Sequence, residues 1–94
     1  ALSSRRAVEK VGEWMSEHRS GNTNLTRLAR MASLSPSHFS TLFRERFGYA
    51  PMDYFLRLKI QRASQLLLST EWPVGRVAEE SGFPDALYFS RRFR

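Results

Sequence analysis

Three arginines, Arg91, Arg92 and Arg94, sit among Tyr88, Phe89 and Phe93 in the stretch YFSRRFR (88–94). A guanidinium is always charged and presents its donors in a planar fork, so it grips a phosphate or another planar acceptor through paired hydrogen bonds. An earlier stretch, HFSTLFR (38–44), carries a related polar set: Ser40, Thr41 and Arg44 follow Ser37 at helical spacing. Covalent and metal chemistry have no comparable support. The chain has no cysteine, and His18 and His38 have no carboxylate at ligand spacing, so both read as surface or boundary residues and no cofactor is implied. No nucleophile–base set, glycine-rich phosphate loop or suitably spaced pair of carboxylates occurs, which points away from an enzyme.

These side chains must be carried by helices. Val8, Val11, Met15 and His18 recur at helical spacing over 5–19, and the polar run RSGNTN ends that helix, with Gly21 expected as a left-handed cap. LTRLARMA (25–32) reads as a short helix capped by Asn24. Ser35-Pro36 announces another, because a capping hydroxyl precedes a proline at the position where a missing N–H costs nothing; it should run to Phe47 and stop at Gly48. A long helix follows from Pro51 to Ser69, with Tyr54 or Phe55, Leu58, Ala63, Leu66 and Leu67 as its apolar stripe. A short helix begins at Pro73 and breaks at Gly82, and a last one begins near Asp85. No strand is expected.

The chain repeats itself. Leu28, Ala29, Ser33 and Leu34 align with Val77, Ala78, Gly82 and Phe83 at a constant offset; after one extra residue in the second copy, Phe39, Ser40, Phe43 and Arg44 fall on Phe89, Ser90, Phe93 and Arg94. Each copy is helix, tight turn, helix. A small residue, Ala29 or Ala78, fits where the two helices cross, and the turn calls for a left-handed residue, supplied by Gly82 but by Ser33 in the first copy. Two such units joined by one long helix make a stronger pattern than either alone.

Composition agrees with an ion-binding surface. The net charge is +6 over 94 residues, with a pI near 10.8, which favours an anionic partner such as nucleic acid or a membrane surface. Charge is uneven: Glu9, Glu13 and Glu17 form an acidic row, whereas Arg57, Lys59, Arg62 and the last three arginines are basic. At 41% hydrophobic content the chain is expected to fold as one domain, and its longest apolar run, Leu66-Leu67-Leu68, is too short for a membrane span.

With these residues in place, the sequence resembles the DNA-binding domain of AraC/XylS-type transcription regulators over nearly its whole length. LARMASLSPSHFSTLFRERFGYAPMDYF is similar to the family's first helix-turn-helix and following loop, LKIQRASQLLLST to its linker helix, and VAEESGFPDALYFSRRFR to its signature segment. The resemblance implies an all-α fold of two helix-turn-helix modules (1–50 and 71–94) joined by a linker helix (51–70). It implies double-stranded DNA as partner, read by two recognition helices in adjacent major grooves, and cytoplasmic transcription regulation. The family's base-contacting positions fall on Ser37, Ser40 and Thr41, then Ala86, Leu87, Tyr88 and Arg91; Arg44 and Arg92 face outward beside them. Arg91 could hold a guanine edge bidentately, and Ala86 and Leu87 could touch a thymine methyl. The family pattern continues into a further helix past Arg94 and places a sensing or dimerisation domain before this one, so both are expected in the full-length protein, with RNA polymerase as a further partner.

Some readings stay open on sequence grounds. Arg57, Lys59 and Arg62 are either solvated charge or phosphate contacts. Tyr88 either packs its helix or meets the groove. The Glu9 row is either a solvated face or a contact for another domain or RNA polymerase. A helical protein-interaction module remains the alternative to a DNA-binding one.

Overall fold

Val8, Val11 and Met15 point to one side of the first helix and are buried there, so α1 (Leu2–Glu17) docks as an amphipathic element. It starts earlier than expected because nothing in LSSRR breaks a helix. The computed structural model describes residues 2–83. The left-handed cap expected at Gly21 is not found: among the described residues only Ser33, Gly48 and Gly82 have positive φ. The chain leaves α1 through an ordinary turn instead, with the Gly21 N–H donating to the His18 carbonyl at 3.0 Å. His18 itself is exposed and stacks on the Trp14 ring, centroids 4.5 Å apart.

The next starts and stops follow local capping chemistry. α2 (Leu25–Met31) begins where the Asn24 side chain accepts the Arg27 N–H at 2.9 Å. α3 (Pro36–Phe47) begins where Ser35 Oγ accepts the His38 N–H at 3.2 Å, and it ends on Gly48 at φ 83°. α4 (Pro51–Ser69) has proline in its first turn. In α5 (Val74–Glu80) Pro73 is the cap residue rather than the first helical one. No strand occurs among the described residues.

Two apolar clusters result. The first gathers Val8, Val11, Met15, Leu28, Ala29, Phe39, Phe43 and Phe55 from α1 to α4, and the second gathers Ala63, Val77, Ala78 and Phe83 under α4 and α5. Phe39 and Phe43 are fully enclosed, so truncating either to alanine should cost about 3–5 kcal/mol. Phe47 is half-buried rather than enclosed: its ring lies on Phe43 and Tyr54, at 4.4 and 5.0 Å, and its tip reaches the backbone of Gly12, where a Cβ would collide. The stripe on α4 differs from expectation at one end. Pro51, Phe55, Lys59 and Ala63 are the buried positions, and Leu67 is 39% exposed because the seven residues of α5 cross α4 beside Ala63 and Leu66.

Candidate nucleic-acid interface

The turn before α3 decides how that helix is presented. Ala32 closes α2, Ser33 turns left-handed at φ 57°, and the Ser33 and Leu34 N–H groups donate back to the Arg30 and Ala29 carbonyls, both at 3.0 Å. The second copy repeats this geometry. Ser81 closes α5, Gly82 stands at φ 81°, and the Gly82 and Phe83 N–H groups donate to the Glu79 and Ala78 carbonyls at 3.1 and 3.0 Å. Leu28 and Ala29 are buried in one copy, as Val77 and Ala78 are in the other. As far as Phe83 the repeat seen in the residues is thus a repeat of backbone hydrogen bonds, and the second copy of Phe39, Ser40, Phe43 and Arg44 lies outside the described residues.

With Phe39 and Phe43 turned inward, α3 leaves Ser37, His38, Thr41 and Arg44 exposed and Ser40 half-buried. Ser37, Ser40, Thr41 and Arg44 form one stripe at i, i+3, i+4 and i+7. Thr41 Oγ1 donates to the Ser37 carbonyl at 3.1 Å, so its proton is used inside the helix and its lone pairs remain for a ligand donor. Arg44 has no ion pair among the described residues. The opposite flank of α3 is tied to α1 by exposed ion pairs, Arg46 to Glu9 at 3.2 Å and Arg5 to Glu45 at 3.9 Å. A groove of about 430 Å³ lies between these pairs, floored by Leu42. Ala86, Leu87, Tyr88, Arg91 and Arg92, the other expected contacts, lie outside the described residues.

The basic residues of α4 have different roles. Arg57 is held by Asp53 at 3.4 Å and lies 4.0 Å from the Tyr49 ring centre, and Arg62 Nε donates to the Glu80 carbonyl at 3.4 Å. Lys59 is neither solvated nor available to a phosphate. It is 7% exposed, its ammonium donates to the Arg19 carbonyl at 2.8 Å and to the Gly21 carbonyl, and it lies 4.6 Å from the centre of the Phe55 ring. Burial lowers its pKa from the ordinary lysine value. A sequence signal for this existed: Lys59 stands at i+4 from Phe55 and i−4 from Ala63, on the buried face of α4.

Among the described residues no three His, Cys, Asp or Glu side chains are grouped so as to hold a metal ion, and no helix is long and apolar enough to cross a membrane. Glu9, Glu13 and Glu17 are all exposed, with Glu9 engaged by Arg46.

Known proteins share this sequence and shape. A helix-turn-helix domain family matches residues 28–94. The chain is 41% identical over 86 residues to the MmsAB operon regulatory protein of Pseudomonas aeruginosa, covering 92% of this chain and 28% of that protein. It is 34% identical over 88 residues to the arabinose operon regulatory protein of Escherichia coli, covering 93% and 30%. It therefore spans under a third of the length of these relatives. The DNA-binding domain of the global transcriptional factor AdpA, solved in complex with a target DNA, superposes with a TM-score of 0.89 at 27% identity, covering 94% of this chain and 79% of that one. The five described helices, the like turns at Ser33 and Gly82 and the residues of the repeat fit one conclusion: the chain belongs to the AraC/XylS family of helix-turn-helix transcription regulators.

Proposed function

We propose that this domain binds double-stranded DNA sequence-specifically and regulates transcription, with α3 and its counterpart in the second copy entering adjacent major grooves. The observation that carries the reading is the turn built twice with the same hydrogen bonds, at residues 32–34 and 81–83, on either side of one long helix. The AdpA domain, similar in fold, was solved on its target DNA, which supports the same partner here. Residues 1–50 and 71–94 act as the two modules and 51–70 as the spacer. Nineteen residues of α4 at ~1.5 Å each span about 28 Å, close to the ~34 Å between major-groove windows on one face of DNA.

Ser37, Ser40, Thr41 and Arg44 contact bases and phosphates from α3. Ala86, Leu87, Tyr88, Arg91 and Arg92 do so from the second copy. Arg91 supplies the most discriminating contact, since a guanidinium can take both acceptors of a guanine while single hydroxyls read bases weakly. The domain acts in the cytoplasm, within a longer protein that carries a sensing or dimerisation domain and meets RNA polymerase.

The test is selection of bound sites from random duplexes, followed by anisotropy titration of a selected site at several salt concentrations. About six neutralised phosphates give a log-log slope near −5. A slope near zero with folded protein overturns the proposal and leaves the protein-interaction module as the reading.

A further inference from the structure

Among the described residues a polar junction, beside α4 itself, joins the two apolar clusters. Its centre is Lys59, whose ammonium donates to the Arg19 and Gly21 carbonyls of the α1–α2 loop. The same loop meets the second module directly: a Cβ on Gly82 would lie 2.5 Å from the Ser20 carbonyl oxygen and would also collide with the Lys59 ammonium. Two further ties flank it, Arg19 to Gln65 Oε1 at 3.2 Å and Arg62 to the Glu80 carbonyl at 3.4 Å. Gly48, also left-handed, has nothing within 4 Å of its would-be Cβ, so positive φ alone does not bring such a close approach.

We propose that this junction is a latch that sets the angle between the two modules, with Lys59 as its positioning residue, and thereby sets which spacing of half-sites the domain accepts. A buried apolar side chain in the same place would let the loop slide, because dispersion has no direction. An ammonium donating to two carbonyls fixes both, and withdrawing it removes the charge-assisted bonds that hold them in place. The seven residues of α5 pack on α4 through Val77, Ala78 and the neighbouring Phe83, an apolar contact that holds the two helices together without fixing the loop. The turn glycine in the second copy then has two reasons, its positive φ and the absence of room, whereas exposed Ser33 in the first copy meets only the first.

The angle can be measured without DNA. The chain has no cysteine, so Glu13→Cys and Glu79→Cys, both exposed, place one spin label on α1 and one on α5. Electron–electron distance measurements should give one narrow distribution in the otherwise unchanged protein. Lys59→Met and, from the other side of the junction, Gly82→Ala should broaden or displace it while helical content stays. An unchanged narrow distribution in a folded variant of either kind overturns the latch; should Lys59→Met fail to fold, Gly82→Ala decides. The consequence for DNA rests on the function proposed above. On a selected site, inserting one base pair between half-sites should weaken the unchanged protein by about tenfold, the size of one lost contact, and weaken Lys59→Met by less than threefold. Equal spacing penalties in both proteins overturn the specificity role. Failure of the unchanged protein to select any duplex overturns the DNA reading alone, since the label distances still judge the latch.

Discussion

Ser33 and Gly82 hold the same left-handed position in two copies of one turn, at φ 57° and 81°; Ser33 is exposed, whereas Gly82 lies against the Ser20 carbonyl and the Lys59 ammonium. The difference separates what glycine does through its backbone from what it does by having no side chain.

Ser33→Gly should stabilise the protein slightly. Left-handed φ costs a residue with a Cβ about 1–2 kcal/mol, and the extra freedom of glycine in the unfolded chain returns about 0.4–1 kcal/mol of that. The net gain of about 0.5–1 kcal/mol should raise the thermal midpoint by roughly 2–8 °C, at ~4–8 °C per kcal/mol for a domain of this size. A calorimetric midpoint below that of the unchanged protein contradicts it.

Gly82→Ala should lose at least about 2 kcal/mol. It adds the same left-handed strain and drives a methyl group against the Ser20 carbonyl, which belongs to backbone and cannot swing away. Gly48→Ala is the control, because open space surrounds its Cβ position and only the φ term applies. Urea midpoints should therefore order as unchanged, Gly48→Ala, Gly82→Ala.

Lys59→Met should reduce stability at neutral pH by about 1–3 kcal/mol, since the Arg19 and Gly21 carbonyls lose their donor. The pH dependence has a definite sign. Burial lowers the folded-state pKa below the ordinary value of 10.5, so between the two values the unfolded chain binds the proton more fully. Stability from this group is flat below the lowered pKa and rises with pH from there to 10.5. Denaturation of the unchanged protein and of Lys59→Met at a series of alkaline pH values should show the rise in the former only.

Arg44→Ala should weaken DNA binding by about 1–3 kcal/mol, or roughly 5- to 150-fold, and leave the thermal midpoint nearly unchanged, because the side chain is exposed and has no ion pair among the described residues. Arg57→Ala should cost binding less, since Asp53 and the Tyr49 ring already engage that guanidinium. Equal losses for the two variants contradict the assignment of α3 as the reading helix.

Local chemistry was legible where it depends on residues close in sequence. The bounds of α3 and α4, the caps at Asn24 and Ser35 and the left-handed stop at Gly48 follow from hydroxyls, prolines and glycines acting within four residues of themselves. The strain at Ser33 was legible through the repeat, because Gly82 marks the same position. Gly21 misled, since a glycine after a helix marks a left-handed cap only when the next turn calls for one, and here it does not.

By itself, then, the sequence determined the five described helices, two like turns and the outward stripe Ser37, Ser40, Thr41 and Arg44, because periodicity and capping are properties of neighbouring residues; the sixth helix expected near Asp85 lies outside the described residues. Only the tertiary structure decided the fate of Lys59. Its place on the buried face of α4 is visible in the spacing of Phe55, Lys59 and Ala63, but its partners are carbonyls of a loop forty residues away. Whether a buried ammonium is a defect or a latch depends on what the folded chain brings to meet it, and here that is the backbone at Arg19 and Gly21.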